Sequence, residues 1–131
     1  MRIPGWLESS PRITVNGKSY DGASEPQTFA AIRRKWKQND TIHLTFPLNA
    51  RLMPADAQHP KTVAVMYGPL ALVALNPPAD IFTRPLPLAH GFRLARQGGE
   101  IFELQTPDQK LSFTPFYGVG DQTYSSYVLR A

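Results

Sequence analysis

The side chains able to do chemistry in this chain are few and scattered. The three histidines stand at 43, 59 and 90, and there is no cysteine. No His-x-x-x-His, no His-x-His and no thiolate is present to build a zinc site, so each histidine reads best as a solvated surface residue. The carboxylates are Glu8, Glu25, Glu100 and Glu103, with Asp21, Asp40, Asp56, Asp80, Asp108 and Asp121, and most sit in turn contexts. Two carboxyls held roughly 5 to 10 Å apart across a sugar would suit glycoside hydrolysis. No such pair stands out. Glu100 and Glu103 flank Ile101 and Phe102 and would project from opposite faces of one strand.

Gly118-Val-Gly120 lacks the third glycine and the following helix of a dinucleotide loop, which leaves a tight turn between Phe116 and Tyr124. Neither a G-x-S-x-G elbow nor a phosphate-binding loop occurs. Arg33-Arg-Lys-Trp-Lys37 is the one basic-aromatic cluster, and such a cluster can touch phosphate or stack on a base or sugar. A strand over Phe29–Lys37 would divide its cations between two faces, so no nucleic-acid partner is expected. Trp6, Trp36, Tyr20 and Tyr117 could form a sugar-stacking platform, though packing in a core or against a neighbouring domain is the plainer use.

The elements that must position these groups are strands. Thirteen prolines in 131 residues are about twice the usual share of roughly 5%, and they leave few intervals in which a helix could run. The apolar spine is Thr62–Leu75. Val63, Val65 and Tyr67 alternate with Thr62, Ala64 and Met66. Gly68-Pro69 then breaks the run, and Leu70–Leu75 is apolar on both faces, as in a strand buried between two layers. Before the spine, Arg12–Tyr20 predicts a hairpin about Asn16-Gly17, the preferred pair for a type I′ turn. Gln38-Asn39-Asp40 has turn chemistry. In Thr41–Phe46 the side chains of Ile42, Leu44 and Phe46 should point inward and those of Thr41, His43 and Thr45 outward. Leu48–Met53 is a short strand and Pro54–Lys61 a surface loop. After the spine, 76–91 carries four prolines and reads as a connection over the surface. Phe92–Ala95, Ile101–Gln105 and Leu111–Phe116 follow as strands, with turns at Gly98-Gly99 and Pro107-Asp108-Gln109, and Thr123–Leu129 closes the chain with β-prone residues. Nine or ten short strands with little helix predict an all-β, antiparallel β-sandwich of jelly-roll type. The expected organisation is one domain over 1–131, in which 92–131 adds strands or begins a second small β unit. A chain of this length can bury roughly two-thirds of its unfolded surface.

The net charge of +4 comes largely from scattered Arg and Lys, a solubility feature. No run approaches the roughly 20 apolar residues of a membrane span. Met1-Arg2 is followed at once by Pro4, Gly5 and Trp6 without the apolar region of an export signal. The opening therefore reads as the interior of a longer protein. A cysteine-free composition suits an exported parent and a cytoplasmic one equally.

Taken together, several stretches form an ordered set. Arg2-Ile-Pro-Gly-Trp6, Val15-Asn-Gly-Lys18, Ile32–Lys37 with Asp40-Thr-Ile-His-Leu44, Met66–Leu72 and Phe113–Val128 resemble the β-sandwich region that follows the catalytic barrel in the β-L-arabinofuranosidase-like glycoside hydrolases (family 127 and relatives, the DUF1680 group). The proline-rich stretch 76–91 has no counterpart in that resemblance. In that family, hydrolysis belongs to an (α/α)6 barrel, where a glutamate and three cysteines surround a zinc and a cysteine is the nucleophile. This chain has none of those positions, so the resemblance implies no catalytic residue, no metal and no cofactor here. It implies instead the accessory C-terminal β-sandwich region of such an enzyme, non-catalytic and docked on the barrel of its parent. The alternative is a carbohydrate-binding module for arabinose-containing glycans. Under either reading the candidate contact residues are Trp6, Trp36, Tyr117, Asp121 and Tyr124. An exposed docking face would also let two copies pair.

Overall fold

A computed structural model describes residues 1–88 and 92–131; His90 and the end of the 76–91 stretch lie outside the described residues. The chain is all-β. Among the described residues it forms eleven short strands: β1 Arg12–Val15, β2 Lys18–Ser19, β3 Ile42–Thr45, β4 Ala50–Pro54, β5 Thr62–Tyr67, β6 Leu70–Leu75, β7 Ala95–Arg96, β8 Phe102–Gln105, β9 Lys110–Pro115, β10 Tyr124–Ser125 and β11 Val128–Leu129. Every ladder between them is antiparallel, as the sandwich class requires. The chain divides into two compact units, Met1–Asn49 and Ala50–Ala131.

In the first unit β2, β1 and β3 make a three-stranded sheet. Asn16 and Gly17 both adopt positive φ, 50° and 77°, which is what a two-residue turn matched to the strand twist demands. Ile13 pairs with Leu44 and Val15 with Ile42. Ile3, Leu7, Ile13 and Ala30 are buried together, with Trp6, Tyr20, Ile32 and Phe46 packed against them. Two expectations fail here. Ile42 is 39% exposed rather than inward, although Leu44 and Phe46 are half-buried as the alternation requires. Phe29–Lys37 is also not a strand: only Phe29 bridges, to Arg2, and Ala30 N–H donates to Met1 O at 2.8 Å. Beyond Ile32 the stretch carries four cations in a row broken only by Trp36, and all of them stay in water.

The second unit is one eight-stranded sheet in which β5, β6, β9 and β8 are sequential neighbours. The spine folds as its pattern implies, with β5 and β6 joined at Gly68 (φ 55°) and Pro69. Next to that turn Val65 pairs with Leu72, Met66 with Ala71 and Tyr67 with Leu70. Farther from the turn the two strands part. Val63 and Thr62 pair instead with Val128 and Leu129 of β11, and Ala74 and Leu75 with Ser125 and Tyr124 of β10. The segment 124–129 is thus a wedge between the splayed ends of the hairpin.

The core of this unit gathers Val63, Val65, Leu72, Ala74, Phe102, Leu104, Leu111, Phe113 and Val128. Each such side chain, fully buried, contributes about 1.5–3 kcal/mol for a Val, Leu or Phe. Ile81, Leu86 and Leu88 belong to the same core. The stretch after Asn76 is therefore more than a surface connection: it sends three apolar side chains inward, and Leu86 bridges to Arg130. Periodicity missed it because irregular backbone buries residues without a fixed spacing. The strands after residue 92 join the same sheet, β9 pairing with β6 and β8 with β9.

Candidate functional site

Directly opposed residues on neighbouring strands project to the same face of a sheet. In the second unit one row runs Ser125, Ala74, Phe113 and Phe102, and the last three of these belong to the core. The adjacent row therefore faces away from the core. It runs Tyr124, Leu75, Ser112 and Glu103 across β10, β6, β9 and β8.

This outer face carries a groove of about 530 Å³, lined by Leu75, Asn76, Ile101, Lys110, Ser112 and Gln122, among others. The exposed aromatics of this unit lie outside that lining. Phe116 meets Tyr124 edge to face with centroids 5.4 Å apart, and Phe116 is 60% exposed. Tyr117, 65% exposed, donates its hydroxyl to Glu100 Oε1 at 2.7 Å, and Glu100 immediately precedes the groove residue Ile101. That hydrogen bond, with partial desolvation and the Glu100 charge, raises the Tyr117 pKa above its ordinary 10.0.

The polar lining is largely engaged on its acceptor side. Gln122 Oε1 accepts Gly120 N–H at 2.8 Å, and Asn76 Oδ1 accepts the Thr123 hydroxyl at 3.4 Å. Each amide is left with its NH₂ group to donate. Lys110 Nζ is tied to Glu103 Oε1 at 2.6 Å, so the charge on the groove is internally balanced.

The sequence-derived contact residues fall into two sets. Tyr117, Asp121 and Tyr124 lie in the second unit, in the loop and strand bordering this groove, with Asp121 exposed beside Gln122. Trp6 and Trp36 lie in the first unit. Trp6 is half-buried against Phe46, centroids 5.7 Å apart. Trp36 is 49% exposed with the Arg34 guanidinium 5.1 Å from its ring centroid, and Arg34 also pairs with Asp40 at 3.1 Å. The basic stretch is a loop with one of its cations neutralised. Tyr20 serves the core and donates to Ala31 O at 3.1 Å. Glu100 and Glu103 are separately partnered, by Tyr117 and Lys110. The groove residues Asn76, Ser112 and Gln122 were not foreseen, because they come together from segments distant in sequence.

Residues 1–48 match the model of a protein family described as the β-L-arabinofuranosidase, GH127 middle domain. The matched stretch ends within one residue of the first compact unit, Met1–Asn49. The resemblance to the family 127 hydrolases holds. In solved structures, 99% of the chain superposes on a glycoside hydrolase at a TM-score of 0.70 and 20% identity, covering 27% of that chain. It superposes over 99% of its length on a GH127 β-L-arabinofuranosidase from Geobacillus stearothermophilus T6 at 0.66 and 22% identity, covering 26% of it. A further GH127 β-arabinofuranosidase gives 0.65 and 18% identity, with 99% and 27% coverage. At these identities the superpositions show a shared fold. The chain spans about a quarter of the length of these hydrolases. A search of curated proteins finds no match.

Proposed function

We propose that this chain is a non-catalytic accessory part of a family 127-like glycoside hydrolase, whose role is to pack against and support the catalytic barrel of its parent. The observation that carries this reading is the coverage: nearly the whole chain corresponds to about a quarter of each hydrolase. The first unit alone matches a stretch that the family describes as a middle domain.

The chemistry of the donor set agrees. The zinc site implied by the family resemblance rests on cysteine thiolates, and this sequence has no cysteine. Among the described residues no three His, Asp or Glu side chains converge on a point that could hold a metal ion. The residues present do not fit that group, and no hydrolytic step is assigned to them.

The test is direct. The purified chain is incubated with an aryl β-L-arabinofuranoside, with and without added zinc, and release of the aryl alcohol is followed. No turnover is expected in either condition, and zinc-dependent turnover would overturn the reading. The reading frame upstream of Met1 is the companion test, with a cysteine- and glutamate-bearing helical region expected there.

A further inference from the structure

We infer that the basic loop of the first unit, 33–37, seats the chain on an anionic phospholipid surface, with Trp36 entering the headgroup layer and Arg33, Lys35 and Lys37 pairing with lipid phosphates. The inference does not depend on the parentage proposed above. A strand here would have sent alternate cations to opposite faces. The stretch is instead a loop that bends at Arg34, and every residue from Arg33 to Asn39 is exposed. Arg34 pairs with Asp40 at 3.1 Å, whereas among the described residues Arg33, Lys35 and Lys37 have no acidic partner. Lys18, also exposed and without one, lies two residues on from Asn16, whose amide is bonded to Asp40. Four unpaired cations thus stand about one carboxylate that is already satisfied. Such a cluster is drawn to the negative potential of an acidic lipid leaflet.

The loop holds its shape without a ligand. Asp40 Oδ2 accepts Lys37 N–H at 2.8 Å, Asp40 N–H donates to Lys37 O at 3.1 Å, and Asn39 completes the turn at φ 71°. Binding therefore has little backbone left to order. Trp36 is 49% exposed, and the Arg34 guanidinium lies 5.1 Å from its ring centroid. An amphipathic ring flanked by cations suits the headgroup layer, where tryptophan and the long stems of arginine and lysine settle. Single-stranded nucleic acid fits less well. Its binders stack successive bases on several aromatics along a groove, and Trp36 is the only Phe, Tyr or Trp between Phe29 and Phe46. One ring among exposed cations matches a flat charged surface better than a strand of bases.

The experiment is co-sedimentation of the full chain with vesicles of phosphatidylcholine alone, or of equal parts phosphatidylcholine and phosphatidylglycerol, at low and at physiological salt. The acidic vesicles are expected to sediment the chain, less so as salt rises, and the neutral vesicles are not. Tryptophan emission should shift to the blue on binding, and Trp36→Ala should abolish that shift and weaken binding. Lys35→Gln and Lys37→Gln, exposed changes with the fold checked by circular dichroism, should each weaken binding about fivefold. Lys61→Gln, in the second unit, should leave it unchanged. The proposal is overturned if the acidic vesicles do not sediment the chain or if neutral vesicles do so equally. It is also overturned if both folded lysine variants bind like the unsubstituted chain, if the blue shift persists in Trp36→Ala, or if single-stranded oligothymidylate binds more tightly than the acidic vesicles. Because the readout is vesicle binding, its failure is distinct from turnover in the hydrolysis assay.

Discussion

The side-chain amide of Asn16 donates to Asp40 Oδ1 at 2.7 Å, joining the β1–β2 turn to the loop that leads into β3. Asn16 Oδ1 accepts Thr41 N–H at 2.8 Å in return. The second Asp40 oxygen accepts Lys37 N–H at 2.8 Å and faces Arg34 at 3.1 Å. One carboxylate thus fixes a turn, a loop and the register of the edge strand.

These contacts, the Asn16 hydrogen bond first, then the Lys37 N–H and the Arg34 charge, hold the Asp40 pKa below its ordinary 3.8. A carboxyl depressed in the folded state stabilises the fold above its unfolded pKa, and that stabilisation is lost as pH falls through the folded value. Asp40→Asn should therefore lower the thermal midpoint of the first unit at neutral pH. Well below pH 3.8 the two proteins should melt alike. Tryptophan fluorescence reports this unit, since both Trp6 and Trp36 lie within it.

Gly17 sits at φ 77° with open space where a Cβ would fall. Gly17→Ala consequently tests backbone strain without a clash. It should destabilise the hairpin by about 1 kcal/mol, read from urea unfolding. A neutral result would mean that the turn relaxes to another geometry.

Phe113 is buried at the centre of the second unit, between Ala74 and Phe102 in the cross-strand row. Phe113→Ala should cost about 3–5 kcal/mol. Hydrogen exchange of the β5 and β6 amides is the measurement, and protection there should fall throughout rather than at one end.

Tyr117 should ionise above pH 10.0 in a near-ultraviolet titration. Glu100→Gln removes the charged acceptor and should bring that transition down. A titration curve unchanged by Glu100→Gln would show that the hydrogen bond does not form in solution.

Legibility of the sequence tracked the range of the interactions. β5 and β6, the Asn16-Gly17 turn and the Gly98-Gly99 turn (φ 95° and 54°) are local, and each is written in adjacent residues. Phe29–Lys37 has the alternation of a strand but, beyond the bridge at Phe29, no neighbour to pair with, a fact that no local pattern contains. The burial of Ile81, Leu86 and Leu88 is equally invisible, since it follows from where irregular backbone comes to rest. Of the site, Tyr124 was singled out as an aromatic, while Ser112 is an ordinary polar residue until the ladder of β10, β6 and β9 sets it in one row with Leu75 and Tyr124.

The wedge of residues 124–129 has a consequence for the order of events during synthesis. Until that segment leaves the ribosome, Thr62, Val63, Ala74 and Leu75 lack the ladder partners that β10 and β11 supply, so nascent chains expose bare hydrogen-bonding edges flanked by valine and leucine. Closing them requires contacts between distant parts of the chain, which form slowly. Nascent or truncated chains that stop short of Tyr124 are therefore the species that chaperones must shelter, and the ones that will aggregate when they do not.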